Sequence, residues 1–190
     1  MSDVDEPILP LSPPSARASL AEAVREIERH VATGGWDAPV RVFALVRTGA
    51  ALAAEPGLAA QLPPEVVALA RRDEHHLTSV EQEDLPTAPD LEQLLAGIEW
   101  PAGVDGAAVT VERVVLPPAA EEGVPADPDE ALAHLMAHPD RQDVRIAVGA
   151  LRDGTSWCAV RSRSNDSDDS VGQGPDLVPG LVEAVVATLH

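Results

Sequence analysis

Apolar and polar positions along this chain recur at two periods and divide it into helical and extended stretches. In SARASLAEAVREIERHVATGG, residues 15–35, Leu20, Val24, Ile27 and Val31 fall at i, i+4, i+7 and i+11. That spacing predicts an amphipathic helix with one apolar stripe. Ser19 with Glu22 fits a capping box, Ser15 offers an earlier start, and Gly34 supplies the stop. VRVFALVR, 40–47, alternates at period two, with Val40, Val42, Ala44 and Val46 on one face and Phe43 and Leu45 on the other. Apolar residues on both faces predict a central strand or one covered at mid-length. Residues 49–72 read as two short helices broken at Pro56-Gly57 and Pro63-Pro64, and LTSV within the polar 73–89 segment as a short edge strand.

DLEQLLAGIEW, 90–100, predicts a helix capped by Asp90. GAAVTVERVVLP, 106–117, predicts a strand whose inward parity changes beyond Arg113, as a bulge there would produce. DPDEALAHLMAHP opens with Asp127 as cap, Pro128 in the first turn and Glu130 after it, a strong helix start. DVRIAVGALRDGTSWCAVRSR, 143–163, predicts a β-hairpin around Asp153-Gly154. A two-residue turn there pairs Ala150 with Trp157 and puts Trp157 on the core face with Val144, Ile146 and Val148. LVPGLVEAVVATLH predicts a final helix with Leu177, Leu181, Val185 and Leu189 inward.

A hairpin forces an antiparallel pair, so the expected class is α+β: a mostly antiparallel sheet with helices packed on one face, ending in the C-terminal hairpin and a helix. Residues 15–190 are expected to form one domain, and the proline-broken residues 1–14 a disordered tail.

Composition narrows the chemistry. The net charge of −19 opposes nucleic-acid phosphate and anionic lipid, so neither nucleic acid nor membrane is an expected partner. No window approaches a membrane span, and the acidic MSDVDEPILP does not resemble a secretory signal, so a soluble cytoplasmic protein is expected. All thirteen cations are arginines and the chain has no lysine. A Walker A loop, a Schiff-base enzyme and a protein kinase each need a lysine, so those three classes are closed. The lone Cys158 precludes an intramolecular disulfide and reads as a buried structural thiol. No G-x-S-x-G hydrolase elbow occurs.

Three groups remain as candidate sites. The first is the set of arginines on or beside predicted strands: Arg41, Arg47, Arg113, Arg145, Arg161 and Arg163, with Arg152 in the hairpin. Guanidinium groups suit a carboxylate, a phosphate or an acidic peptide; equally, their stems cover exposed sheet while they pair with local acids. The second is His134 and His138, four apart on one helix but without the glutamate of HExxH. The third is SNDSDDSVGQGPD, 164–176. Counted from Asp166, with Asp168 third, an EF-hand loop would need Gly at position 6 and Glu at 12, where Val171 and Leu177 stand. A solvated loop with Asp176 capping the last helix is the expectation, with Asp166 and Asp168 kept as metal-ligand candidates.

The stretches GGWDAPVRVFALVRT, LTSVEQEDLP, DLEQLLAGIEWPAGVDGAAVTVERVVLPP and GPDLVPGLVEAVVATL together resemble a family of uncharacterised actinobacterial proteins of similar length. The resemblance spans nearly the whole chain except the tail. It implies a lineage and a compartment, and no mechanism. In segment order the chain is also similar, as fold analogy only, to secretion-chaperone-like proteins. The reading is a non-enzymatic protein-interaction domain meeting a protein partner or a second copy of itself. The alternatives are an anion or metabolite binder using the strand arginines and, last, a metal-dependent hydrolase. No cofactor is expected.

Overall fold

A computed structural model describes residues 15–190, so the expected tail, 1–14, lies outside the described residues. Helix α1 spans Ala16–Ala32 and begins at Ser15, whose hydroxyl accepts the Ala18 N–H at 3.2 Å. Ser19, expected as the cap, is instead buried in the first turn and donates to Asp73 at 2.7 Å. Strand β1, Arg41–Arg47, runs straight into α2, Thr48–Ala54. A 3-10 turn at Pro56–Ala60 and helix α3, Pro64–Arg72, follow, divided at the prolines as the pattern requires. Strand β2 is Leu77–Glu81. Asp90 caps α4, Leu91–Ala96, by accepting the Gln93 N–H at 2.8 Å. After β3, Gly106–Val115, come α5, Pro118–Glu121, and α6, Pro128–Ala137; Asp127 caps α6 through the Asp129 and Glu130 N–H groups. Strands β4, Gln142–Leu151, β5, Ser156–Ser162, and β6, Gly172–Gly174, lead to α7, Pro179–Ala187.

The six strands form one sheet in the order β2-β1-β3-β4-β5-β6, antiparallel at every pairing. The α+β class and its antiparallel sheet are therefore as expected, as is a hairpin followed by a helix. The placement of the helices differs. Helix α1 covers one face, burying Leu20, Val24, Ile27 and Val31 against Phe43, Leu45, Ala108, Ala147 and Ala159. Helices α4 and α7 cover the other, where Leu94, Leu95, Leu181 and Val185 meet Val109, Ile146 and Val148. The cause is in the central strands. Ala107, Ala108 and Val109, and again Ile146, Ala147 and Val148, are apolar at both parities, so neither face can be left to water. Each fully buried Val, Leu or Ile contributes about 1.5–3 kcal/mol, which makes a one-sided arrangement of these strands untenable.

The two faces are built differently. Under α1 the central strands carry alanines and Gly149, so helix and sheet approach closely: a Cβ on Gly149 would stand 2.5 Å from Val24 Cγ2. The opposite face is lined by valines and isoleucine.

Two local expectations are corrected. The β4–β5 turn is not a two-residue type I′ turn. Among the non-glycine described residues only Asp37 has positive φ, so Asp153 is not left-handed, and Gly154 alone supplies the left-handed position at φ +85°. Arg152 thus joins the loop, which becomes three residues long, closed by Leu151 N–H to Thr155 O at 2.8 Å. Pairing shifts by one, to Gly149 with Trp157 and Val148 with Cys158. One residue of slip exchanges the faces. Cys158 enters the core with Val148, and Trp157 lies on the α1 side. The second correction is at Arg113, where no bulge forms: β3 and β4 pair without interruption from Gly106–Leu151 to Val115–Gln142.

Candidate functional site

Two features stand apart from ordinary packing: a charged cluster under the C-terminal half of α1 and a groove at the β2 edge.

The cluster starts from a row across the sheet. Glu112 on β3 lies opposite Arg145 on β4, which lies opposite Arg161 on β5. Two guanidinium groups on neighbouring strands repel unless an anion joins them. Glu28, on the buried side of α1, fills that place. Its carboxylate accepts Arg161 Nε at 2.6 Å and Nη2 at 2.8 Å, with Arg145 Nη1 3.9 Å away. The side chains of Glu28, Arg145 and Arg161 are 1–3% exposed. Arg145 also reaches Glu112 at 3.0 Å and the Gly35 carbonyl. Its Nε and Nη1 have no hydrogen-bond partner among the described residues, but the Trp36 ring lies over the guanidinium, 4.4 Å from Cζ to the ring centre.

The 164–176 segment closes the cluster. Asp166 and Asp168 accept Arg161 at 3.1 and 2.6 Å, and Asp166 also accepts the Trp36 indole N–H at 2.9 Å. Asp37, left-handed at φ +67°, donates its N–H to Glu112 and receives both Arg163 nitrogens at 3.0 and 2.9 Å. The electrostatics follow from these contacts. The Glu28 bond first, then Asp168 and Asp166, raises the Arg161 pKa further. The Trp36 bond and Arg161 hold the Asp166 carboxyl below the ordinary range, Arg161 does the same for Asp168, and Arg163 for Asp37. The segment expected as a plain solvated loop is therefore a strap, with a 3-10 turn at Asp168–Ser170 and β6 within it. Asp176 does not cap α7, whose N-cap position is Val178.

The remaining strand arginines are mostly engaged. Arg41 meets Glu81 at 3.5 Å and Arg47 meets Asp105 at 3.8 Å. Arg152 donates to the carbonyls of Val104, Pro101 and Leu189, tying the hairpin to the end of the chain. Arg113 is exposed and meets no carboxylate among the described residues. The space beside Arg161, bounded by Glu28, Arg29, Asp168 and Gln173, is about 20 Å³, room for one water but not for a phosphate.

His134 lies in the last turn of α6 and His138 is the residue that ends it, with ring centres 5.6 Å apart, and His138 Nδ1 accepts the Asp140 N–H. Among the described residues no group of three or more His, Cys, Asp or Glu side chains is placed to hold a metal ion. His76 is held elsewhere, by Thr48 at 2.8 Å. Cys158 is fully buried.

The groove has a volume of about 450 Å³ and lies between the exposed flank of α1 and the end of α3. Ala18, Ala23, Leu69 and Leu77 give it apolar walls, and Glu22, Glu26, Asp73 and Arg72 border them. Asp73 is fixed there, accepting the Ser19 hydroxyl at 2.7 Å and the His75 N–H at 2.8 Å. Among the described residues β2 ends the sheet on this side. Thr48 N–H donates to His76 O, and Gln82 N–H to Val42 O, so even-numbered residues of this stretch bond to β1. By the alternation of an antiparallel ladder, the N–H and C=O groups of Leu77, Ser79 and Glu81 point outward from the sheet.

Sequence reasoning found Arg145, Arg161, Arg163, Asp166 and Asp168 without their common centre. It missed Glu28, Asp37, the contacts of Trp36 and the groove. Glu28 carried a signal: at i+4 from Val24 and i+8 from Leu20 it stands within the apolar stripe of α1.

Among the described residues these features define an antiparallel α+β fold braced by a buried ion cluster, with an open sheet edge beside a groove. The chain belongs to the PPA1309-like protein family, whose model matches residues 20–190. That description names no activity, ligand or source. No curated protein and no solved structure matches the chain. No helix among the described residues is long and apolar enough to cross a membrane.

Proposed function

We propose that this is a cytoplasmic protein-interaction domain, working by binding rather than catalysis, and that its binding surface is the free edge of β2 with the adjoining groove. The observation that carries the reading is the position of Leu77. Its backbone lies at the open edge while its side chain lines the groove, so a strand added to the sheet passes directly beside a pocket for its side chains. The other sheet end is a poorer template, because β6 is only three residues long. The engagement of the arginines supports the same reading. Arg145 and Arg161, the most buried of them, are consumed by carboxylates of the chain itself, which leaves the anion-binding alternative with little free cation.

The test is co-purification from the native host, read by cross-linking mass spectrometry, with the native chain and Ser79→Pro. The Ser79 N–H faces away from β1, so proline there removes an outward donor and no internal one. The expected result is a partner cross-linked near the groove with the native chain and lost with the variant. Equal recovery of the same partners by both proteins refutes the reading.

A further inference from the structure

Resting on the edge-pairing reading above, we infer that the segment taken up beside β2 is an extended strand bearing arginine or lysine side chains, one of which lies in the groove.

The groove combines apolar walls with a charged border. Its walls are apolar at Ala23, Leu69 and Leu77, and its border carries Glu22, Glu26, Asp73 and Arg72; Arg25 already pairs with Glu22, which leaves Glu26 and Asp73 facing Arg72. An apolar passage leading to carboxylates fits a side chain that is itself apolar along its stem and cationic at its tip. Arginine and lysine have that build; a leucine or phenylalanine would bring no cation to Glu26 and Asp73, and an acidic residue would be repelled. Asp73 is set in advance for this role. Ser19 and the His75 N–H hold its two oxygens, and a carboxylate with two bonds made still has lone pairs for a third and fourth. The groove's volume of about 450 Å³ leaves room for such a side chain without moving its walls.

The strand edge makes the same selection. Glu81 on β2 is followed by Glu83 and Asp84, and Arg41 answers only Glu81. Charge on an edge strand discourages pairing with like-charged neighbours. A second copy of this chain brings another −19 charge and the same acids, so self-pairing is opposed, whereas a cationic strand is drawn in. The positive partner is thus the occupant that both the groove and the edge admit.

The test uses the full chain and fluorescein-labelled hexapeptides, RVRVRV and EVEVEV, read by fluorescence anisotropy. A pair of RVRVRV peptides N-methylated on alternate amides, in the two registers, blocks one strand edge or the other. The expected result is binding of RVRVRV at least about tenfold tighter than EVEVEV, weakening as salt rises. Ser79→Pro weakens it about tenfold, the double variant Glu22→Arg with Glu26→Arg does likewise, and only one N-methyl register abolishes it. Equal or tighter binding of EVEVEV, with loss in Ser79→Pro, overturns the cationic partner and leaves the edge reading standing. Binding of RVRVRV that survives both Ser79→Pro and both N-methyl registers shows surface adsorption and overturns both. Absence of binding by either peptide overturns the inference, and the cross-linking experiment then judges the edge reading by itself. Sedimentation of the unliganded chain as a dimer that Ser79→Pro dissociates assigns the edge to self-pairing and overturns the inference as well. Should Ser79→Pro fail to fold, the N-methyl pair decides the edge contact alone.

Discussion

Replacing Glu28 by glutamine tests whether the buried ion cluster holds the domain together. Glutamine keeps the shape of the side chain and one carbonyl oxygen, but turns an NH2 donor toward guanidinium donors. In the native protein the carboxylate makes bonds of 2.6 and 2.8 Å to Arg161, and both side chains are 2–3% exposed. Breaking a buried ion pair from one side costs about 3–5 kcal/mol, because the remaining charge is stranded. Arg161 retains Asp166 and Asp168 on its outer side, and Arg145 retains Glu112, so the lower end, about 3 kcal/mol, applies. For a chain of 190 residues each kcal/mol moves the Tm by about 2–4 °C, which gives a fall of about 6–12 °C. Urea unfolding followed by circular dichroism should show a lower midpoint with an unchanged slope. Glu22→Gln is the control: Glu22 pairs with Arg25 at the surface, and its loss should change stability by less than about 0.5 kcal/mol. A loss below about 1 kcal/mol in Glu28→Gln, no more than a surface pair is worth, would refute the reasoning.

Three other outcomes follow from the structure. Gly149→Ala places a methyl group 2.5 Å from Val24 and 3.2 Å from Leu20, so it should lower stability by about 1–3 kcal/mol in thermal unfolding; an unchanged Tm would mean that α1 does not sit so close to the sheet. Gly154→Ala, at φ +85°, should cost about 1 kcal/mol, measured the same way, and a neutral result would contradict the three-residue turn. Lowering the pH should release the 164–176 strap before the domain unfolds. The folded pKa values of Asp166 and Asp168 lie below their unfolded values, so the stabilisation is complete above about pH 4 and disappears as pH falls through the folded values. The Trp36 indole N–H resonance, bonded to Asp166, reports this by NMR; a resonance unchanged down to global acid unfolding would show that the strap is held by something else.

Much of the architecture was legible because it rests on period. The stripe of α1, the Asp90 and Asp127 caps and the edge strand at 77–81 are local patterns that packing reinforces. The two-faced burial was legible too, in Phe43 and Leu45 set against Val42 and Ala44. The expectation of helices on one face gave that pattern too little weight. The hairpin turn was located but its register was not, because Asp-Gly serves both a two-residue turn and a three-residue loop ending in left-handed glycine. Choosing between them depends on which partner the core prefers opposite Gly149, a tertiary matter. The cluster was the least legible part. Glu28 and Arg161 are 133 positions apart, and nothing near either names the other. Trp36 and Asp37 matter through a ring stacked on one arginine and a left-handed turn facing another, relations that exist only after the sheet has formed.

The same separation bears on how the chain is made. Helix α1 leaves the ribosome before the strands it packs on, and although β1 and β2 bring Phe43, Leu45 and Leu77 to its stripe, Ala147, Ala159 and the arginines that answer Glu28 arrive only with β4 and β5. Until then the helix carries a greasy flank and a carboxylate with nowhere dry to go. Contacts of such long range close slowly and late. During translation α1 therefore stays in solution, or in the hands of a chaperone, until β4 and β5 follow it.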